Sequence, residues 1–250
     1  MAKNKLQKFA DMTTFPHVFQ YPFAVLQEKG FEMRGRWNEL FFKNTHPIVL
    51  ELGCGKGEYT VGLARCFPDK NFIGVDIKGA RIWTGAKQAL EEGLPNVAFL
   101  RTHIELLAQF FAAGEVAEIW ITFPDPQMNK TNKRMTSARF MQLYSKIIVP
   151  QALIHLKTDS MFMFAYTQAM ARVNCFPVVV ESVDLYHDYP SDDRPFAPTQ
   201  IQTFYEKQWR ERGIDIKYLC FVMEPRETYI EPEIDIARDD YRSFGRSAVR

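Results

Sequence analysis

Val49-Leu50-Glu51-Leu52-Gly53-Cys54-Gly55-Lys56-Gly57, followed by Phe72-Ile73-Gly74-Val75-Asp76, reads as an apolar strand, a tight glycine turn, a helix and a second strand ending in a carboxylate. Gly53, Gly55 and Gly57 let the backbone turn sharply and approach a ligand where a Cβ would collide or forbid a positive φ. The helix that follows aims its free N–H groups and the positive end of its dipole at whatever sits in the turn. This is how a nucleoside cofactor is held.

Small differences decide which cofactor. A dinucleotide site calls for G-x-G-x-x-G, whose third glycine packs the helix close to the strand beside a pyrophosphate. Here the spacing is G-x-G-x-G, with Glu58 where that third glycine would fall. Glu51, at the end of the first strand, would repel a pyrophosphate and attract a cationic amino-acid group. S-adenosylmethionine carries an ammonium, a sulfonium and no phosphate, so it is the favoured reading over a nicotinamide or flavin. Asp76 at the second strand tip is then expected to accept from both ribose hydroxyls.

Working outward, apolar runs at 48–52, 72–76, 97–101, 118–122, 152–157, 178–183 and 216–223 read as seven strands. Helical spacing lies between most of them, as in Tyr59, Leu63 and Phe67, or Phe140, Leu143, Tyr144, Ile147 and Ile148. The alternation predicts an α/β, doubly wound, seven-stranded, mostly parallel sheet with a Rossmann-like fold. Ligands then bind beyond the carboxyl ends of the strands, at the switch point between the first and the fourth. Residues 1–46, rich in aromatics and carrying seven Lys/Arg against four Asp/Glu, are expected to be a partly flexible appendage. Residues 47–250 are expected to form one catalytic domain, with a lid-like loop at about 186–206.

Composition bounds the rest. At 250 residues and 46% hydrophobic content, one α/β domain with appendages fits, and two full domains would be cramped. A formal net charge of +1 offers no global attraction to nucleic acid, so any such binding must come from local patches. Cys54, Cys66, Cys175 and Cys220 lack metal-ligand spacing and are expected to be buried free thiols in a reducing cytoplasm. No metal site is expected. The basic N-terminus is followed by no signal-like apolar core, and no run of about 18 apolar residues occurs, so a cytoplasmic protein without a membrane partner is expected.

The loop after the fourth strand reads Phe123-Pro124-Asp125-Pro126-Gln127-Met128-Asn129-Lys130-Thr131-Asn132-Lys133-Arg134. Each proline fixes its own φ and biases the residue before it toward extended geometry, so Asp125 is held stiffly at the mouth of the crevice. Composition alone reads the same stretch as a surface turn. Its place at the strand's carboxyl end favours the functional reading. Lys130, Lys133, Arg134 and Arg139 form a basic edge suited to phosphates, where a solvated face is the plainer alternative. Tyr186-His187-Asp188-Tyr189-Pro190 either stacks on a base or packs its own rings.

Together, E-L-G-C-G-K-G, Asp76, F-P-D-P with its basic tail, Thr158-Asp159 and Thr203-Phe204-Tyr205-Glu206 resemble the bacterial tRNA (guanine-N7)-methyltransferase family over residues 30–224. The resemblance implies a class I methyltransferase fold and methylation of guanine N7 at position 46, in the variable loop of tRNA. It implies that Glu51, Gly53, Gly55, Gly57, Asp76, His103 and Asp125 bind S-adenosylmethionine, with Asp125 also catalytic. Lys130, Asp159, Thr203, Phe204, Tyr205 and Glu206 would contact the RNA, with Glu206 accepting from guanine N1 and N2. The chain departs from the family pattern at Thr102-His103, where Asp or Asn is common, and at Gln127, where Trp is common. His103 is read either as an adenine contact or as an ordinary helix-start histidine. The rival readings are a methyltransferase acting on another RNA or on a small molecule, and a silent RNA-binding subunit. The chain is expected to be a monomer or homodimer.

Overall fold

In the computed structural model, residues 2–190 and 197–239 are described. The first elements are α1 (Ala2–Thr14), β1 (Val18–Gln20) and α2 (Phe23–Lys29), then β2 (Ile48–Leu52), α3 (Glu58–Cys66), β3 (Asn71–Asp76), α4 (Gly79–Glu91) and β4 (Val97–Arg101). Next come α5 (Leu107–Phe110), β5 (Val116–Thr122), α6 (Ala138–Ser145), β6 (Ile148–Thr158) and α7 (Met161–Val173). The chain continues through β7 (Val178–Ser182), α8 (Leu185–Asp188), α9 (Ala197–Gln200), α10 (Phe204–Glu211) and β8 (Lys217–Met223).

The strands form one sheet in the order β1-β4-β3-β2-β5-β6-β8-β7. Chain order reverses between β2 and β5, so the crevice opens where strand-order reasoning placed it. Pairing is parallel from β1 through β6, and β8 runs antiparallel to both β6 and β7. All five residues of β2 are buried, as a central strand covered on both faces requires. Val49, Phe72, Phe99, Trp120 and Cys220 pack with α3 and α4 on one face. Leu50, Ile73, Leu100, Ile121, Ile154 and Phe221 pack with α6 and α7 on the other.

Three expectations are corrected. The sheet has eight strands, because Val18–Gln20 pairs with Phe99–Arg101 of β4. A three-residue strand is too short to show a period of two, so only its pairing with β4 reveals it. The N-terminal segment also supplies core: Leu26, Phe31, Trp37 and Phe42 are buried in the α6/α7-side layer, and Met12 of α1 in the other. The cysteines are all free, but Cys66 and Cys175 are exposed; only Cys54 and Cys220 are buried. Residues 191–196 of the expected lid lie outside the described residues. No described helix is long and apolar enough to cross a membrane.

Candidate active site

The glycine turn is built from three left-handed residues, Gly53, Gly55 and Gly57, at φ of 74°, 57° and 71°. Gly53 N and Cys54 N both donate to Val75 O, tying the turn to the tip of β3. The three glycines then serve two purposes. A Cβ on Gly57 would lie 2.6 Å from Phe99 Cε1, so this position exists to let α3 pack against its neighbours. A Cβ on Gly53 would meet nothing within 4 Å, and one on Gly55 only Gly53 O at 3.9 Å. Those two border open space that a side chain would narrow.

Glu51 sits behind this turn, 3% exposed. Its Oε2 accepts from Thr60 N (2.8 Å) and Thr60 Oγ1 in α3, and its Oε1 accepts from Thr122 Oγ1 (2.7 Å) at the end of β5. One carboxylate thus joins the glycine turn to the root of the Asp125 loop. Burial pushes its pKa up from 4.5 to about 7, against the lowering effect of the Thr60 and Thr122 bonds; Asp76 adds to the rise. Asp76, half-buried, accepts from Gly55 N (2.9 Å) and Lys78 N (2.7 Å), which aims its carboxylate at the turn. His103 is exposed directly after β4.

The Asp125 loop is strained at both ends. Phe123 and Gln127 have φ of 49° and 47°, a conformation that costs a bulky residue about 1–3 kcal/mol and persists only where neighbours enforce it. Phe123 N donates to Lys157 O (2.8 Å), and Asp125 Oδ1 accepts from Gln127 N (3.0 Å), leaving the carboxylate exposed between two buried prolines. Arg134 does not belong to the phosphate-facing edge expected of it. It is 8% exposed, lies 4.8 Å and 4.5 Å from the Phe162 and Tyr166 ring centroids, and donates to Gln127 O (3.3 Å) and Met128 O (3.0 Å). Lys130 and Lys133 do face solvent. Arg139 donates to Asn132 O and lies 3.7 Å from Glu105.

The residues expected to meet RNA fall into two groups. Lys130, Phe204 and Tyr205 are exposed, and Lys56 of the glycine turn stands over the Phe204 ring at 4.5 Å. Thr203, Glu206 and Asp159 are buried. Thr203 and Glu206 form a capping box that starts α10, and Glu206 also accepts from Tyr186 OH (2.6 Å) and pairs with Lys157 Nζ at 2.6 Å. Both side chains of that ion pair are fully buried. In this conformation the Glu206 oxygens are engaged within the protein, not presented to a guanine edge. Asp159 is 1% exposed, and its carbonyl accepts from Lys217 Nζ (3.1 Å). Tyr186 is likewise engaged, its ring covered by Arg210 at 3.5 Å.

Lys157 is the residue that sequence reading passed over. Its Nζ donates to the carbonyls of Pro198 and Ile201 as well as to Glu206, latching 198–206 onto β6. Burial pulls its pKa down to about 8, with Glu206 opposing. The available signal was a lysine next to the apolar residues at the end of β6. Thr60 and Thr122 carried no signal, since threonine is ordinary in helices and strands alike. Among the described residues, no cluster of His, Cys, Asp and Glu could hold a metal ion.

Comparison with known proteins follows the same lines. A family model described as "Putative methyltransferase" matches residues 45–219. The tRNA (guanine-N(7)-)-methyltransferase of Porphyromonas gingivalis is 60% identical over 239 residues, 94% of this chain and 97% of its own. That of Bacteroides thetaiotaomicron is 56% identical over 247 residues, covering 99% and 96%. Among solved structures, the 16S rRNA methyltransferase KamB superposes with a TM-score of 0.53 at 14% identity, over 72% of this chain and 88% of its own, which shows the shared class I fold. With a buried acid behind an open glycine turn, a carboxylate held at the switch point and near-full-length relatives of one kind, this chain belongs to the tRNA (guanine-N7)-methyltransferase family.

Proposed function

We propose that this chain transfers a methyl group from S-adenosylmethionine to N7 of guanine 46 in the variable loop of tRNA. The observation that carries the reading is Glu51, bonded at once to Thr60 behind the open glycine turn and to Thr122 below Asp125. It couples a cradle for a cationic amino acid to a carboxylate placed for chemistry. The names of the near-full-length relatives agree with it. Gly53 and Gly55 leave room for the cofactor, Glu51 and Asp76 supply the negative charge that suits it, and His103 stands at the next strand tip. When bound, S-adenosylmethionine would supply a methyl on cationic sulfur, and N7 of guanine has an in-plane lone pair that needs no prior loss of a proton.

No strong base is therefore needed, and the protein's task is alignment, which in well-oriented systems contributes about 7–11 kcal/mol. Asp125 orients the base edge and stabilises the positive charge that grows on the guanine ring. Reaching N7 requires a base outside a regular A-form stack. Phe204 and Tyr205 offer exposed rings for such a base, and Lys130 a charge for its phosphates. Lys157 latches 198–206 onto β6, and Thr203 and Glu206 start α10 within that segment. An opening of that latch would be needed before Glu206 could read guanine N1 and N2.

The test is incubation with labelled methyl donor and unmodified tRNA transcript, followed by nucleoside analysis. The expected product is 7-methylguanosine at position 46; a methyl on another base or atom sinks the reading. Asp125→Asn is expected to lower kcat at least about tenfold while leaving the affinity for S-adenosylhomocysteine nearly unchanged. Full kcat in that variant would remove Asp125 from the chemistry.

A further inference from the structure

Beyond β8 the chain runs without regular structure through 224–239, yet it is anchored at every few residues. Ser145 Oγ accepts from Arg226 N (2.8 Å) and donates to Arg226 O (2.7 Å). Asn174, just past the end of α7, exchanges two 2.8 Å bonds with Ile230. Glu231 then accepts from Ala138 N (3.0 Å), the first residue of α6, and from Tyr166 OH. At the far end Asp239, 7% exposed, accepts from Phe162 N (3.1 Å) and from Ser160 Oγ at the start of α7. The segment therefore runs back along α7 from its end to its beginning.

The two helix starts it reaches are those that leave the candidate active site. The Asp125 loop feeds α6, and Thr158-Asp159-Ser160 feeds α7. Among the described residues Ser137, in the capping position of α6, makes no cap and its buried Oγ has no partner; Glu231 takes the first helical N–H instead. Glu231 also holds Tyr166, whose ring carries Arg134, whose guanidinium grips the carbonyls of Gln127 and Met128. Among the described residues Arg134 has no carboxylate within ion-pair distance, so this relay is its link to an acid.

We infer that Arg226–Asp239 is a strap that positions the active-site loops: Glu231 sets the strained Asp125 loop through Tyr166 and Arg134, and Asp239 sets the Thr158–Ser160 turn directly. Glu231 is a positioning residue, since it meets no reacting atom. The inference rests on the reading that Asp125 faces the target base.

The test uses the full chain with Glu231→Ala, Glu231→Gln and Tyr166→Phe. Hydrogen exchange at the amides of residues 127–134, measured without RNA or donor, is expected to quicken in Glu231→Ala and Tyr166→Phe. With tRNA, kcat is expected to fall about tenfold in both, with S-adenosylhomocysteine affinity within about twofold of the parent, because misplacement by a fraction of an ångström acts on the reaction and not on cofactor binding. Glu231→Gln, whose amide oxygen still accepts from Tyr166, is expected to recover most of the rate. Unchanged exchange in 127–134 overturns the inference, as does unchanged kcat. A raised kcat also overturns it and would make the strap a competitor of the RNA. If Glu231→Ala does not fold, Tyr166→Phe, which removes one hydroxyl, decides between these outcomes. If the parent protein makes no 7-methylguanosine, the functional reading fails, and the exchange result still decides whether the strap holds the loop.

Discussion

Glu51 shows how one residue's environment sets its chemistry. Its folded pKa, about 7, lies above the ordinary 4.5, so between those values the folded chain holds the extra proton. Stability contributed by this group is therefore complete below about pH 4.5 and is lost as pH rises through about 7 when no ligand is bound. A cationic ligand reverses the preference by favouring the ionised acid, and below neutrality its binding must expel a proton. S-adenosylhomocysteine, which keeps the ammonium, is expected to bind several-fold more tightly at about pH 8 than at about pH 6. Glu51→Gln should bind more weakly and without that slope in calorimetric titration. A parent affinity that is flat with pH would detach Glu51 from the ligand's charge. The acid before the glycines was legible in the sequence because a charge inside an otherwise apolar strand is rare; the two threonines that fix its geometry were not, because each is commonplace in isolation.

At the scale of elements, the glycine turn separates two roles that look identical in the sequence. Gly57→Ala puts a Cβ into Phe99 and also demands a left-handed backbone, so it should cost about 2–4 kcal/mol in urea unfolding. Gly53→Ala meets no protein atom and should cost only about 1–2 kcal/mol, the backbone part, while sharply reducing cofactor affinity. Equal losses of stability in the two variants would contradict the division. The 198–206 segment is decided by a different element. Lys157→Met leaves Glu206 buried without its counter-charge and is expected to destabilise the fold by about 3–5 kcal/mol. Lys157→Met with Glu206→Gln should recover much of this, because the isolated charge is then gone. T-F-Y-E suggested substrate contact for all four residues, yet a capping box and an ion pair engage Thr203 and Glu206, and only Phe204 and Tyr205 are left exposed.

For the whole molecule, a net charge of +1 means that RNA attraction is local and not global. Lys130→Ala and Lys133→Ala are each expected to weaken tRNA binding and lower the slope of log affinity against log salt by about 0.9, the value for one phosphate contact. Arg134→Ala should leave that slope unchanged, since its guanidinium is buried against Phe162 and Tyr166. A slope change in Arg134→Ala would place it back among the RNA contacts. The N-terminal segment teaches the same lesson about scale: its aromatics marked an appendage, but Trp37 and Phe31 are part of the main core and Val18–Gln20 extends the sheet.

The layered fold, the position of the crevice and the acid-turn-acid arrangement around it are legible in the local sequence. Those depend on apolar period, glycine spacing and charge at strand ends, all of which are local. Which basic and acidic side chains face solvent and which turn inward depends on how the elements pack: Arg134 into aromatic rings, Glu206 onto Lys157, Glu231 and Asp239 onto distant helix starts. A side chain's partner dozens of residues away is a matter of how packed elements meet, and no window of sequence contains it.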